Sequence, residues 1–356
     1  MKNKLLYIIQ SKISVVLDII ISLLINIFFK CINKKSSSAF ILVYAPYKGD
    51  PWILNKVIND IKLSSSKSEN YKIFTSLIKL SIFRLNNGGK VFSMHQSNIR
   101  KLFFSGISLN EINTFYTHSR LNQEGIRHIK KIRKIFCQNI YELSLLNASG
   151  VNKNKLVNFP IGLHQNFIKN QKNIRNLDKR EIDILFCLRY YRGNYHYSIR
   201  KRYEFIVNLS NLLSEMDLKV CILGKGWNEK KFFLSDKILL KEVKFSDYSG
   251  FYRNSKIYCN PSICEGGPIS LIEAYASGCF IYTSPVGLSF NYCLEDELSC
   301  IMSFDRSEEY WKKSILKSLK ENLQNNYYKK VLSKRYEKLK GSTFKSLSEV
   351  LEKNLV

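Results

Sequence analysis

Two carboxylates, Glu265 and Glu273, bracket Gly266-Gly267-Pro268-Ile269 in "CNPSICEGGPISLIEAYASGCFIYTSPVG", a run otherwise made of small or apolar residues. The stretch reads as strand, loop, helix and strand. Gly266 and Gly267 let backbone approach a ligand closely, Pro268 suits the first helical turn, and Gly278 stops the helix. A helix N-terminus beside two glycines is an anion site, because its unpaired N–H groups and a dipole worth about half a charge act at one spot. Phosphate is the natural guest. Helical side chains lean back toward the N-terminus, which directs Glu273 at that site from among Ile269, Ser270, Ala276 and Ser277. A carboxylate there repels a phosphate unless a hydroxylated group spaces them. The two adjacent hydroxyls of a ribose fit, and Glu265 could hold the hydroxyls of a sugar beyond the phosphates. Taken alone, such a pair is more often a surface loop residue and a helix carboxylate paired with a lysine.

The elements that must position these residues alternate. After "NKKSSS", "AFILVYAP" reads as a buried strand and "YKGDPWILNKVINDI" as a turn opening a helix, with Asp50 at the N-cap and Pro51 at the first helical position. Strands "KVFSMHQ" and "NTFYTHS" carry His95 and His118 near their C-terminal ends, and "IRHIKKIRKIF" has apolar positions 126, 129, 132 and 136 at helical spacing. The polar stretch "IKNQKNIRNLDKREID" reads as an interdomain linker. A second round follows: strand "IDILFCL", helix "RKRYEFIVNLSNLL", and strands "LKVCILG", "SKIYCNP" and "CFIYTSP", then a Lys-rich helical tail after Asp305. Two rounds of strand and helix predict two parallel-sheet domains, whose ligands bind at the C-terminal ends of the strands. Arg189 follows its strand directly. The "GKG" turn of Gly224 and Gly226 is a weak signal, since glycine turns are common.

Hydrophobic residues at 45% and aromatics at 13% exclude a disordered chain. Lys and Arg number 56 against 29 acidic residues, a net charge of +27 that favours nucleic acid, phosphates or an anionic membrane. Nine cysteines form no CxxC pair and sit mostly in apolar runs, so they read as core residues of a reducing compartment. "ISVVLDIIISLLINIFF", residues 13 to 29, falls short of a clean span. Ser14, Asp18, Ser22, Asn26 and Lys30 run along one stripe of it, lysines flank both ends, and no cleavage site follows. An in-plane membrane helix is the preferred reading, with a single span or a helix packed on the protein's own core as alternatives.

The Glu265–Gly287 segment resembles the nucleotide-sugar site of GT-B retaining glycosyltransferases, the large family that includes sucrose synthase and bacterial mannosyl- and lipopolysaccharide transferases. It matches that family's E-x7-E element, with Gly-Gly-Pro-Ile where many members carry Gly-Phe-Gly-Leu. "ILFCLR", "CILGKG" and "FPIGLHQNF" look like further family segments, and the match runs from about residue 40 to 300. The resemblance implies an α/β chain of two Rossmann-like parallel-sheet domains facing a cleft. The expected divisions are a membrane-associating helix (1–37), an acceptor domain (38–168), a linker (169–181), a donor domain (182–305) and a helical region (306–356). It places Arg189 and Lys201 on the donor diphosphate. Because the insertion "YYRGNYHYSIR" is long, Arg192, Arg200 or Arg202 could substitute for Lys201. Gly224 and Gly226 would line the donor site, His118 would lie near the reacting sugar, and Gly49 and His95 would lie on the acceptor side.

The implied reaction is transfer of a sugar from a nucleoside diphosphate to an acceptor hydroxyl, with retention and with no metal or cofactor. The expected partners are a nucleotide-sugar donor, a lipid-linked or saccharide acceptor and an anionic membrane surface, with no nucleic acid. The expected place is cytoplasmic, peripheral on the inner face of a bacterial cell membrane with a single span as the alternative, in cell-surface polysaccharide or lipopolysaccharide synthesis. The basic helix "IRHIKKIRKIF" supports membrane docking. The rivals are a basic nucleic-acid-binding protein and a catalytically inactive partner subunit of the same fold.

Overall fold

The computed structural model describes residues 2–31, 39–45, 53–117, 123–160, 162–163, 167, 174–227, 234–321 and 325–355, with backbone alone at 2–12, 28–31, 53–55, 123–124 and 325–327. Two compact units emerge. One comprises Met1–Gln138, Glu142–Gly162 and Phe344–Val356, and the other Asn139–Tyr141 and Leu163–Thr343.

The first unit runs α1 (Lys2–Cys31), β1 (Ile41–Tyr44), α2 (Ile53–Ser64), β2 (Tyr71–Phe74), α3 (Leu77–Asn87), β3 (Lys90–Ser93), α4 (Ile99–Phe104), β4 (Ile112–Tyr116), α5 (Gln123–Lys131), β5 (Lys134–Cys137), α6 (Ile140–Ala148) and β6 (Leu156–Asn158). Its sheet has the order β2-β1-β3-β4-β5-β6, and every pair is parallel. Strands buried on both faces read as unbroken apolar runs, which is why "ILVY" was plain in the sequence. The helix expected over "IRHIKKIRKIF" stops at Lys131. Ile132 is buried, but Lys134–Cys137 is a strand between β4 and β6, because Ile135 and Phe136 gain two ladders of sheet bonds and full burial there.

Helix α1 packs on α3 and α4 with Ser22 and Asn26 of its polar stripe buried, while Ser14 is exposed. Asn26, 2% exposed, donates to the Ser22 and Ser105 carbonyls and to Ser81 Oγ, and its Oδ1 accepts from Arg84. Arg84 in turn pairs with Glu111 at 2.5 Å. Burying these groups is tolerated because each finds a partner. The opposite face exposes Ile13, Val16, Leu17, Ile20, Leu24 and Ile27. Among the described residues, no helix is long and apolar enough to cross a membrane.

The second unit runs β7 (Ile182–Cys187), α7 (Tyr195–Lys201), α8 (Tyr203–Ser214), β8 (Val220–Leu223), β9 (Leu239–Lys241), α9 (Tyr248–Arg253), β10 (Ser255–Asn260), α10 (Ile269–Ala276), β11 (Phe280–Thr283), α11 (Ser289–Tyr292), β12 (Ser299–Ile301), α12 (Glu308–Glu321) and α13 (Asn325–Leu339); a last helix, α14 (Phe344–Leu355), belongs with the first unit. The sheet order is β12-β11-β10-β7-β8-β9, again parallel throughout. Its core gathers Phe186, Tyr203, Trp227, Tyr282 and Trp311 around the central strands. The helix expected over "RKRYEFIVNLSNLL" breaks at Arg202, a left-handed residue with φ of 53°. In the polar stretch before β7, Leu177 and Arg180 are buried. The Arg180 guanidinium donates to the Ser255 and Ser277 carbonyls and to Tyr328 Oη.

Candidate active site

In the second sheet the strand order reverses between β7 and β10, and a doubly wound sheet opens its ligand crevice beyond the C-terminal ends of such a pair. Register sets Phe186 beside Cys259 and Cys187 beside Leu223. The chain leaving β7 stays hydrogen-bonded to its neighbour: Leu188 N–H donates to the Leu223 carbonyl and Tyr190 N–H to that of Lys225. Arg189, between them, is exposed, and its guanidinium lies 5.0 Å from the Tyr191 ring centre.

Gly224 and Gly226 serve this approach. Their φ angles are +144° and +91°, and a Cβ at Gly226 would sit 2.8 Å from the Tyr190 carbonyl oxygen, while one at Gly224 would fall on that of Leu188. The Leu188 oxygen also accepts from Trp227 Nε1 at 2.9 Å. Both glycines therefore admit the backbone carrying Arg189, a role the sequence reading missed.

Lys201 does not open the helix that follows. It ends α7, which starts where the Asn194 side chain accepts from Tyr197 N–H, and the Arg202 break turns α8 away. That placement pairs the Lys201 ammonium, 19% exposed, with the Glu265 carboxylate, 8% exposed. Arg200 lies over the Tyr197 ring at 4.4 Å and Arg202 over the Phe205 ring at 3.8 Å; burial lowers the Arg202 pKa, opposed by the Glu308 charge. Arg192 is exposed in the loop between.

The loop carrying Glu265 is fixed by backbone bonds. Ile263 N–H donates to the Arg200 carbonyl, and the Gly266 carbonyl accepts from Asn139 Nδ2 at 2.7 Å. A Cβ at Gly287 would meet the Gly266 and Glu265 oxygens at 2.6 and 2.8 Å, so the turn after β11 backs the same loop. Gly267 follows, and Pro268 stands at the N-cap of α10 rather than inside its first turn; no side chain caps the helix, which begins at Ile269.

Glu273, in the middle of α10, is 2% exposed. Its surroundings are phenols and a thiol. Burial pushes Tyr248, Tyr252 and Tyr258 above the ordinary phenol value, with smaller contributions from Cys187 and Glu273 on each. The Glu265 charge also reaches Tyr258, whose hydroxyl bonds Ser270 Oγ at 2.7 Å. Tyr258 thus feels the charge of both carboxylates and, through Ser270, ties the first turn of α10 to β10. Burial raises the Cys187 pKa, so it is a packing thiol and not a nucleophile. Sequence reasoning missed Tyr258, Tyr252 and Asn139, for which spacing along the chain gave no signal.

In the first unit, His95 caps a short turn, accepting from Ser97 N–H at 3.1 Å with its Nδ1 2.7 Å from Ser97 Oγ. Gly49 and His118 lie outside the described residues. Among the described residues, no group of three or more His, Cys, Asp or Glu side chains is placed to hold a metal ion.

Two parallel sheets, each flanked by helices, with a carboxylate-bearing helix beyond the reversal point of the second, define the GT-B class of α/β fold. Residues 166–334 match the family model of glycosyl transferases group 1, so the chain carries a glycosyltransferase domain of that group and is a glycosyltransferase. Among solved structures, the chain is similar to HepE of Anabaena in complex with UDP-glucose (TM-score 0.62, 8% identity, covering 88% of this chain and 98% of that one). It is also similar to a sucrose-phosphate synthase from Thermosynechococcus elongatus (0.63, 10%, 88% and 97%) and a glycosyltransferase from Rickettsia africae (0.62, 14%, 89% and 97%). Curated protein sequences give no match.

Proposed function

We propose that the protein transfers a sugar from a nucleoside diphosphate to an acceptor hydroxyl with retention at the anomeric carbon. The observation that carries this reading is the burial of Glu273 on α10 beside the Lys201–Glu265 pair, at the end of the sheet where doubly wound folds take nucleotides. Glu273 accepts from the ribose hydroxyls, while the uncapped first turn of α10, Lys201 and Arg189 face the diphosphate. As the bond from the anomeric carbon to the phosphate oxygen breaks, its electron pair goes to the diphosphate, the acceptor oxygen bonds that carbon on the same face and passes its proton to the leaving phosphate oxygen, and these cations and N–H groups hold the growing charge without a metal or cofactor. Glu265, held by Lys201, orients the sugar. His118 near the reacting sugar, with Gly49 and His95 toward the acceptor, belongs to the same reading. The acceptor is lipid-linked or a saccharide, in cell-surface polysaccharide or lipopolysaccharide synthesis. The protein works peripherally on the inner face of a bacterial membrane, where the apolar face of α1 and the overall basic charge favour an anionic surface.

The test is a thermal-shift panel of UDP-, GDP- and ADP-sugars on wild type and Glu273→Gln. One nucleotide class should stabilise the wild type, and the substitution should abolish the shift. An undiminished shift in Glu273→Gln would remove the ribose role.

A further inference from the structure

An open groove of about 770 Å³ lies at the N-terminal ends of β4, β5 and β6, the opposite end of the first sheet from the one where doubly wound folds bind substrates. Its wall carries Arg127, His128, Lys130, Lys131 and Lys155, with Phe103 at one side and no carboxylate among the described lining residues. Lys155 Nζ bonds the Lys130 carbonyl at 2.8 Å, which braces the wall, and Phe103 meets His128 edge-on at 6.4 Å.

Apolar surface adjoins this basic wall. Phe103 and Phe104 sit 5.7 Å apart and are both exposed at the end of α4. Leu23 and Asn26 of α1 pack against Gly106, two residues further on, so the outward apolar face of α1 rises beside the same end. Large apolar side chains left in water next to a cationic groove mark a binding surface, and the ligand they match is amphiphilic: anionic at the head, hydrocarbon behind.

We propose that this groove is a binding site for an anionic phospholipid. The headgroup phosphate lies among Arg127, Lys130 and Lys131, while Phe103, Phe104 and the exposed face of α1 enter the acyl region. The inference rests on the membrane reading above and goes beyond it by assigning recognition to one groove rather than to net charge.

Flotation of the full chain with phosphatidylcholine vesicles, with and without phosphatidylglycerol, tests it. Wild type should float only with the anionic vesicles. Lys130→Gln/Lys131→Gln should weaken partitioning about 25-fold, fivefold per charge removed at a membrane surface. The control Lys313→Gln/Lys317→Gln, on α12 of the other unit, removes the same charge and should change it little, with melting temperatures confirming that both variants fold. Equal weakening by both pairs would mean diffuse attraction and overturn the groove while leaving the membrane reading standing. Unchanged flotation of Lys130→Gln/Lys131→Gln would do the same. A wild type that stays off anionic vesicles would end both claims. If it then sediments as a dimer that Phe103→Ser/Phe104→Ser disrupts, the surface belongs to a second copy of the chain.

Discussion

Adding one methyl group at Gly224 should destabilise the second unit far more than adding one at Gly193, although both glycines have positive φ. At Gly193, with φ of +69°, a Cβ meets nothing within 4 Å, and the cost is the backbone term alone, about 1 kcal/mol. At Gly224 the φ of +144° is one that side-chain-bearing residues rarely adopt, worth about 1–3 kcal/mol. The new Cβ also falls on the Leu188 carbonyl, so the loop must shift against packed neighbours, about 1–3 kcal/mol more. That carbonyl loses its bond from Trp227 Nε1, worth about 1 kcal/mol. The sum is about 5 kcal/mol of destabilisation, which for a unit of this size lowers its calorimetric melting temperature by roughly 10–20 °C, against about 3 °C for Gly193→Ala. Because the Cβ also lies 3.3 Å from Arg189 N, residual folded Gly224→Ala should bind donor more weakly. Melting temperatures of the two variants within a few degrees of each other would show that the two loops do not approach as described.

Two further outcomes follow from the same geometry. Lys201→Met and Glu265→Gln should be coupled by about 2 kcal/mol in a double-mutant cycle of unfolding free energies, whereas strict additivity would deny the ion pair. Burial raises the Cys137, Cys187, Cys221 and Cys259 thiols above their ordinary value of 9.0, so the folded chain keeps protons that the unfolded chain releases. That stability is complete below pH 9.0 and is lost as pH rises above it, at up to about 1.4 kcal/mol per pH unit for each thiol. Urea midpoints that stay level from about pH 8 to pH 10 would contradict it.

The central strands were legible because burial on both faces writes itself as apolar runs: β1, β3, β4, β7, β8, β10 and β11 were all read from the chain. The edge strands β9 and β12 escaped, being three residues each with no fully buried position. Segment β5 was hidden inside a helical spacing that a few apolar residues can mimic, and tertiary pairing decided it. The break at Arg202 left no mark, since a left-handed conformation is expected of glycine and not of arginine; hence Lys201 was put on the wrong helix although its neighbourhood to Glu265 could not be guessed from either. The glycines at 224 and 226 were noticed, but what they admit is another stretch of backbone, a fact written only in three dimensions.

Helix α14 has a bearing on how the chain is made. Its Glu352 takes the Ser65 hydroxyl at 2.5 Å and lies 3.4 Å from that of Tyr71, so the first unit is closed by residues translated only after the entire second unit has been synthesised. Folding in order of synthesis therefore leaves α2 and β2 waiting for their last neighbour, and a ribosome stalled anywhere before Phe344 would present the nascent first unit with that flank open to chaperones and proteases.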